Sequence, residues 1–341
     1  MKNFVCFFII LITSINIFGQ KIFDVQDFSK DYYGKVYIES PTEVFSKGWV
    51  EIYQKKNNKR LIKVNSDELI GDTEDGKIKT NVKQLPYGEQ SVIIYEDFNF
   101  DGIKDFAIMD GQNSCYHGPS FQIFLGGKTK GIFRMNKSFT KLSQNYCGMF
   151  DIDPQEKKIH TMTKSSCCWH QYSDFIVQNN KPQTIKIIEE NYNAPFVYFD
   201  IQTLKNGRMI RTQEKSLANP EDLNVLFSFK LQNKKEVFLL NANDELSYNL
   251  VNEKGYLELS LPLDAGKLKT SFVLDSKENP QTLSFINSSY EYKIYEGYNN
   301  EIAIQVKGKN FSKTFIGNNV SKKGSLQNLL SQTLTNLTLK K

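Results

Sequence analysis

Short runs of β-branched and aromatic residues, separated by turns rich in Gly, Asn and Lys, recur along most of the chain and constrain its fold more than any other feature. Such runs are typical of strands, and Phe and Tyr, at 25 and 17 residues, supply most of the aromatic content. The regular spacing favours a sandwich, a barrel or a propeller, so we predict an all-β fold. The first series of predicted strands covers residues 49–53, 60–64, 91–95, 105–109, 121–125, 159–163, 172–177 and 184–188.

A second series of strand signals follows a looser segment around residues 189–194, and it predicts a second β-rich domain. A length of 341 residues allows two domains, each with a sizeable core. We place the boundary near residue 195, which gives a first domain over 20–194 and a second domain of unknown role over 195–341. The tail from Gly324 to Leu339 is expected to form a short helix and then a strand. The second series covers residues 196–201, 209–212, 225–229, 237–240, 256–261, 271–274, 290–295, 302–306 and 311–316.

The first 19 residues have the layout of a secretory signal peptide. Lys2 precedes an apolar run that ends near Ile12, and a small residue, Gly19, follows a polar break. The run is too short to span a bilayer, which needs about 20 apolar residues. We predict cleavage after Gly19 or Gln20, no transmembrane segment in the mature chain, and a periplasmic or secreted location.

Charge argues against a nucleic-acid partner. The formal net charge of +5 falls to +4 when Lys2 leaves with the signal peptide, and the basic residues are scattered. Nucleic-acid binding needs a basic stripe or patch, so nucleic acid is a poor candidate partner. A protein partner is expected from the binding-module interpretation given below.

Four cysteines remain in the mature chain, and an even number in an exported protein indicates two disulfides. Residues 149–153 and 158–164 are predicted to form a hairpin, whose backward extension brings Cys147 towards the adjacent Cys167 and Cys168. We therefore favour pairing Cys147 with one member of that pair and Cys115 with the other. A ring between Cys167 and Cys168 ranks below these pairings. The alternative is a zinc site of Cys167, Cys168 and His170, with Cys147 and His117 close in space.

The sharpest motif is the D-x-N-x-D-G-x-x-D run from Asp97 to Asp105. Oxygen-bearing residues alternate at 97, 99 and 101, Gly102 permits a sharp reversal, and the Ile103 carbonyl adds a further oxygen. Calcium takes six to eight oxygen ligands, and these positions supply most of them. An EF-hand is excluded because strands flank the loop and Ile108 stands where a glutamate is needed. The predicted ligands of one Ca²⁺ are Asp97, Asn99, Asp101, Ile103 and Asp105.

The loop resembles the calcium loops of integrin-type FG-GAP repeats. Residues 47–189 as a whole resemble a bacterial family of exported FG-GAP-like proteins that includes periplasmic inhibitors of lysozyme-type peptidoglycan hydrolases. The resemblance implies a propeller-like or sandwich first domain, the calcium ligands given above and a possible inhibitor role. Besides the loop, it is carried by residues 48–53 (GWVEIY), 109–116 (MDGQNSCY), 118–121 (GPSF), 146–150 (YCGMF) and 164–171 (KSSCCWHQ).

The sequence contains no recognisable nucleophile–base pair, phosphate loop or metal-binding histidine pair, so we predict a non-enzymatic binding module and no catalytic residue. Tyr116 and His117, next to a cysteine that would hold their loop, are the hypothetical partner-binding residues. Two alternatives stay open. One is a structural or adhesive cell-envelope protein, and the other is a glycosidase with a carboxylate pair that sequence does not reveal.

Overall fold

The computed structural model describes residues 21–340 except 42, 71–72, 75–76, 86, 263–269, 278 and 298–300, so the predicted signal peptide lies outside the described residues. Strands dominate the chain, as predicted. Two compact units form: the first holds the residues up to Lys164 together with Tyr172–Ile185, and the second holds Ser165–Gln171 and Lys186–Lys341. None of the described helices is long and apolar enough to cross a membrane.

The first unit is built from antiparallel sheets in which strands adjacent in sequence also pair. Its first sheet contains β1 (Lys21–Val25), β2 (Tyr32–Ile38), β3 (Ser46–Gln54) and β4 (Lys59–Leu69). A small hairpin of β5 (Thr73–Glu74) and β6 (Lys77–Ile78) follows. The next sheet contains β7 (Ile93–Glu96), β8 (Asp105–Gly111), β9 (Ser120–Gly126) and β10 (Phe133–Met135). The unit ends with β11 (Asp151–Asp153), with β12 (Lys158–Ser165) up to Lys164, with β13 (Trp169–Gln178) from Tyr172, and with the start of β14 (Lys181–Asn193).

One core joins these sheets. Alternate residues of each strand turn inward, since successive side chains of a strand point to opposite faces. The shared core includes Val36 and Ile52 of the first sheet, Ile93 and Phe106 of the second, and Ile159 of the third. The strands on either side of the Asp97–Asp105 loop therefore contribute to this core.

A helix that the strand pattern did not predict, α1 (Lys137–Asn145), packs against β9. The Asn136 side chain caps it by accepting hydrogen bonds from the N–H groups of the first turn. On the opposite side, the hydroxyls of Thr140 and Ser143 bond to backbone groups of β9. The helix thus bonds to the part of β9 that lies beyond the end of β10, where a longer β10 would otherwise pair.

The second unit continues β14 into a hairpin series and then forms a ten-stranded sheet. The hairpin series adds β15 (Phe196–Lys205) and β16 (Arg208–Leu217), and a 3₁₀ turn, Pro220–Asp222, follows. The ten-stranded sheet contains β17 (Val225–Leu231), β18 (Glu236–Ala242), β19 (Glu245–Val251), β20 (Leu257–Leu261), β21 (Phe272–Asp275), β22 (Gln281–Asn287), β23 (Tyr290–Glu296), β24 (Ile302–Gly308), β25 (Phe311–Gly324) and, after a 3₁₀ helix at Leu326–Ser331, β26 (Leu337–Leu339). The predicted helix-then-strand tail is confirmed.

The ten-stranded sheet curls until its two halves face each other. Its strand order is β20-β19-β18-β17-β25-β24-β23-β22-β21-β26, yet the ring of Tyr248 on β19 lies 4.8 Å from that of Phe285 on β22. The long strand β25 links the halves, pairing with β24 up to Ile316 and with β17 from Gly317 onward. A Cβ at Gly317 would lie 2.9 Å from the Phe229 ring, so this glycine allows the close approach at the junction.

Candidate functional site

The candidate calcium loop connects β7 to β8, so the predicted strand–loop–strand arrangement is confirmed. The two strands pair antiparallel, with Glu96 opposite Asp105. Their neighbours, including Ile93, Ile94 and Ala107, are fully buried. The loop therefore projects from a hairpin whose ends are held by the core of the first unit.

The carboxylate of Asp97 turns back into the loop. Its Oδ1 accepts a hydrogen bond from the Asp101 N–H at 3.1 Å, and its Oδ2 accepts one from the Gly102 N–H at 2.8 Å. Asp101 Oδ1 in turn accepts the Ile103 N–H at 2.8 Å. Positive φ angles of 60° at Phe100 and 86° at Gly102 produce the reversal, which favours glycine at the second position. Oxygen atoms of both aspartates are thus gathered on one tight turn.

Asp105 anchors the base of the loop and is fully buried. Its Oδ2 accepts the Phe98 N–H and its Oδ1 accepts the Gly126 N–H, both at 2.8 Å. Burial raises the pKa of Asp105 to about 7, and the negative charges of Asp97 and Asp101 also raise it. The two hydrogen bonds lower this pKa and so offset part of the rise. Three carboxylates that influence one another electrostatically therefore share this turn.

The donor chemistry of this loop fits a calcium ion. Its side-chain donors are hard carboxylate and amide oxygens, and no ion pair joins Asp97, Asp101 or Asp105 to a lysine or arginine among the described residues. Across the same part of the chain, no three His, Cys, Asp or Glu side chains converge closely enough to hold a metal. The fit therefore rests on donor type, spacing and charge, and not on a preformed cage.

Two residues that support the loop, Asn180 and Gly126, could not be identified from the sequence. Asn180 acts through two hydrogen bonds. The Asn99 amide donates to the side-chain oxygen of Asn180 at 2.9 Å, and the Asn136 amide donates to the Asn180 carbonyl at 2.9 Å. Asn180 lies in the turn between β13 and β14 with a φ of 55°. Consecutive asparagines at 179 and 180 do signal a turn in the sequence, but only the tertiary fold brings that turn to Asn99.

The second support is Gly126, which predicts a specific loss of stability. A Cβ there would lie 2.8 Å from Ile103 Cγ2 and 2.8 Å from the Lys104 carbonyl oxygen. We expect Gly126→Ala to lower the free energy of unfolding by about 1–3 kcal/mol, because the loop must shift to accept the methyl group. Gly127→Ala is the matched control, since its Cβ would meet Ile132 at ordinary contact distances of 3.5 Å. Equal urea-unfolding midpoints for the two variants would contradict this assignment.

The disulfide pairing differs from the sequence prediction. Cys115 and Cys147 form a disulfide with each other, so the favoured pairing of each with Cys167 or Cys168 is wrong. The Cys147 N–H bonds to the Met162 carbonyl, and the Cys115 N–H bonds to the carbonyl of the residue before Cys147. These bonds bring the two cysteines together, with Cα atoms 4.8 Å apart. The disulfide is consistent with an oxidising location.

The remaining pair, Cys167 and Cys168, is exposed, and no disulfide is assigned between the two side chains. The zinc alternative loses one possible ligand, because Cys147 is tied up in the disulfide and cannot supply a thiolate. The sequence predicted two disulfides, and the described residues contain one, between Cys115 and Cys147.

The hypothetical partner-binding residues follow directly after the disulfide. Tyr116 and His117 both have left-handed backbone angles, with φ values of 53° and 58°. Such conformations cost free energy in non-glycine residues and persist where the surroundings impose them. Here the covalent link at Cys115 and the Gly118 N–H bond to the Cys115 carbonyl close the turn. The turn is therefore closed by one disulfide and one hydrogen bond, and the Tyr116 side chain is 61% exposed.

Other exposed rings gather around this loop. Phe45 contacts His117 edge-on at 5.2 Å, and the Lys164 ammonium lies 4.2 Å from the Tyr87 ring centre and 5.0 Å from that of Tyr116. His117 Nε2 also lies 3.2 Å from an oxygen of the Glu68 carboxylate. We call Phe45, Tyr87, Tyr116 and His117 the aromatic patch. Exposed aromatic side chains are enriched at interaction sites.

No protein-family model matches the chain, and no curated protein matches it. Among solved structures, the chain is similar to a Xanthomonas protein described as related to a type IV secretion system, with 19% identity and a TM-score of 0.45 over 55% of this chain and 92% of that one. It is also similar to virginiamycin B lyase from Staphylococcus aureus, with 10% identity and a TM-score of 0.21 over 89% of this chain and 98% of that one. A third similarity is to prolyl oligopeptidase B from Galerina marginata, with 9% identity and a TM-score of 0.22 over 86% of this chain and 40% of that one. These distant similarities assign no activity to this chain.

Proposed function

We propose that the protein is an exported calcium-binding module without enzymatic activity, whose aromatic patch binds in the substrate cleft of a lysozyme-type peptidoglycan hydrolase and inhibits it. The observation that carries the proposal is the loop of Tyr116 and His117, held in a left-handed conformation beside the Cys115–Cys147 disulfide. A loop already fixed in shape loses little conformational entropy when it binds. Exposed aromatic side chains supply large contact areas, and Tyr is enriched among residues that dominate binding energies.

The fold of the first unit supports the proposal indirectly. Its first two large sheets each consist of four strands that pair in sequence order, which is the pattern of propeller blades. In this proposal the first unit is propeller-like, and Ca²⁺ held by the oxygens of Asp97, Asn99, Asp101, Ile103 and Asp105 stiffens the hairpin of β7 and β8 within it. The signal-peptide layout of the first 19 residues and the disulfide support a periplasmic or secreted location.

The test is inhibition of a panel of lysozymes of different structural types, measured with excess calcium. We expect the mature wild-type protein to inhibit at least one enzyme, and Tyr116→Ala and His117→Ala to raise its inhibition constant by about tenfold or more, as loss of a dominant contact does. Tyr192→Ala is the matched control, because Tyr192 is an exposed tyrosine of the second unit. Its inhibition constant should equal that of the wild type.

Two results would contradict the proposal. One is the absence of inhibition of any enzyme in the panel by folded, calcium-loaded protein. The other is inhibition that survives unchanged in both Tyr116→Ala and His117→Ala, since the contact surface would then lie elsewhere.

A further inference from the structure

The curled sheet of the second unit has one closed end and one open end. The 3₁₀ helix that follows β25 closes the first, where buried Leu326 packs into the core and its N–H bonds to a carboxylate oxygen of Glu296 at 2.7 Å. Asn328 bonds there to the Leu226 carbonyl at the start of β17. The opposite end, where β17 turns into β18 and β24 turns into β25, has no such cover among the described residues.

A cavity of about 320 Å³ lies at this open end, between the two halves of the sheet. Its walls are mainly aliphatic and aromatic, and they come from strands that are distant in the sheet order. This volume is at the lower end of the range for small-molecule sites, so it suits one alkyl chain. The lining residues are Leu231, Asn233, Lys235, Tyr248, Leu250, Leu259, Tyr290, Tyr292, Ile304, Val306, Phe311 and Phe315.

One lining residue indicates what kind of ligand the cavity would take. Tyr248 is only 1% exposed, yet its hydroxyl forms no hydrogen bond with any other described residue. Burial raises the pKa of Tyr248 well above its usual value, so the hydroxyl stays protonated and remains a donor. The hydroxyl is not among the fully buried, unpartnered side-chain atoms of the described residues, so it opens onto the cavity, where an acceptor atom of a ligand can take its hydrogen bond.

The other polar groups of the lining are also donors. The Asn233 oxygen already accepts the backbone N–H of Lys235, which leaves its amide N–H groups to donate. Lys235 carries an ammonium group, held 2.5 Å from a Glu258 oxygen and with a side chain still 34% exposed. The Glu258 carboxylate offsets the Lys235 charge and also acts on Tyr248, so the donors left for a ligand are the Tyr248 hydroxyl and the Asn233 amide. Apolar walls combined with these two donors and no lining carboxylate are complementary to an alkyl chain that ends in an acceptor group such as a carboxylate.

We propose that this cavity binds a single medium-length alkyl chain bearing a carboxylate, with the Tyr248 hydroxyl donating to the carboxylate. This assignment concerns the second unit alone and is independent of the proposed hydrolase inhibition. It gives the second half of the chain a binding role of its own.

The test is calorimetric titration of the full mature protein with dodecanoate below its micellar concentration. We expect saturable binding of one molecule per chain. Tyr248→Phe, which removes only the hydroxyl, should weaken binding about three- to tenfold, as the loss of one hydrogen bond does. Dodecyltrimethylammonium has the same chain without an acceptor, and it should bind at least tenfold more weakly than dodecanoate to the wild type, with a smaller difference for Tyr248→Phe.

Tyr295→Phe is the matched control. Tyr295 lies on the same strand as Tyr292, but it is absent from the cavity wall and its hydroxyl donates to Gln305 at 2.9 Å. Its affinity for dodecanoate should equal that of the wild type.

A second variant, Leu259→Trp, fills the cavity from a half-buried wall position and should abolish binding in protein that retains the wild-type circular dichroism spectrum. Absence of saturable dodecanoate binding to the wild type would overturn the proposal. Equal affinity of Tyr248→Phe and the wild type, or undiminished binding to folded Leu259→Trp, would also overturn it.

Discussion

Calcium should raise the melting temperature of the wild-type protein by about 5–10 °C at a concentration of 100 times its dissociation constant. A ligand that binds only the folded state at that concentration adds about 2.7 kcal/mol to the free energy of unfolding. For a unit of this size, each kcal/mol corresponds to roughly 2–4 °C. The charges of Asp97, Asp101 and, once it is deprotonated, the fully buried Asp105 lower the dissociation constant of the ion, and these three groups form no ion pair with a cationic side chain among the described residues. Thermal unfolding in calcium and in chelator measures the shift.

Asp101→Asn should reverse the order of stability between these two conditions. The variant keeps an oxygen for the Ile103 N–H, but it loses the oxygen that accepts the Asn99 amide and removes one negative charge near Asp105. In chelator it should be at least as stable as the wild type, because the relief of repulsion between carboxylates offsets the loss of this one hydrogen bond. In calcium it should be less stable, because one charged ligand is lost.

Glu43→Gln is the control for the charge change, since Glu43 is exposed and lies outside the loop. It should show the same calcium-dependent shift as the wild type. An equal shift in Asp101→Asn and the wild type would remove the calcium assignment of the Asp97–Asp105 loop.

Removing the Cys115–Cys147 disulfide should cost about 3–4 kcal/mol of unfolding free energy. The link closes a loop with a sequence separation of 32, and the chain-entropy estimate for a loop of that length falls in this range. We expect the double variant Cys115→Ser/Cys147→Ser to melt roughly 10 °C below the wild type. Under the proposed function it should also lose most of its inhibition, because the loop of Tyr116 and His117 would no longer be held.

The chain provides its own control for this experiment. Cys167→Ser/Cys168→Ser changes the same number of sulfur atoms at exposed positions that form no disulfide. Its melting temperature should stay close to that of the wild type. A large loss in this variant, with none in Cys115→Ser/Cys147→Ser, would show that the structural disulfide involves the other pair.

Local signals predicted the hairpins well. The loop from Asp97 to Asp105 sits between β7 and β8 as expected, and the hairpin of β11 and β12 has Asp153 opposite Lys158. Both depend on strand propensity and turn residues that lie next to each other in the chain. The short helix α1 was not predicted, since nine residues give a weak periodic signal and its hydroxyl bonds to β9 are tertiary.

The cysteine pairing failed for a related reason. Extending the hairpin of β11 and β12 brings Cys147 alongside Met162, several residues short of Cys167. Its partner, Cys115, lies in the turn between β8 and β9 of another sheet, and no local sequence pattern indicates that these two segments are in contact. Disulfide connectivity depends on contacts between distant segments, which strand patterns do not encode.

By itself, the sequence determined a mostly β chain with a strand–loop–strand motif rich in oxygen donors, because strand alternation and turn chemistry act over a few residues. Only the tertiary structure decided that Gly126 and Asn180 support that loop and that Cys115 pairs with Cys147. The curl of the second sheet, which brings Tyr248 to Phe285 and leaves an apolar cavity at one end, was also decided at that level. These features arise from contacts between residues far apart in the chain, where packing and burial outweigh local preference.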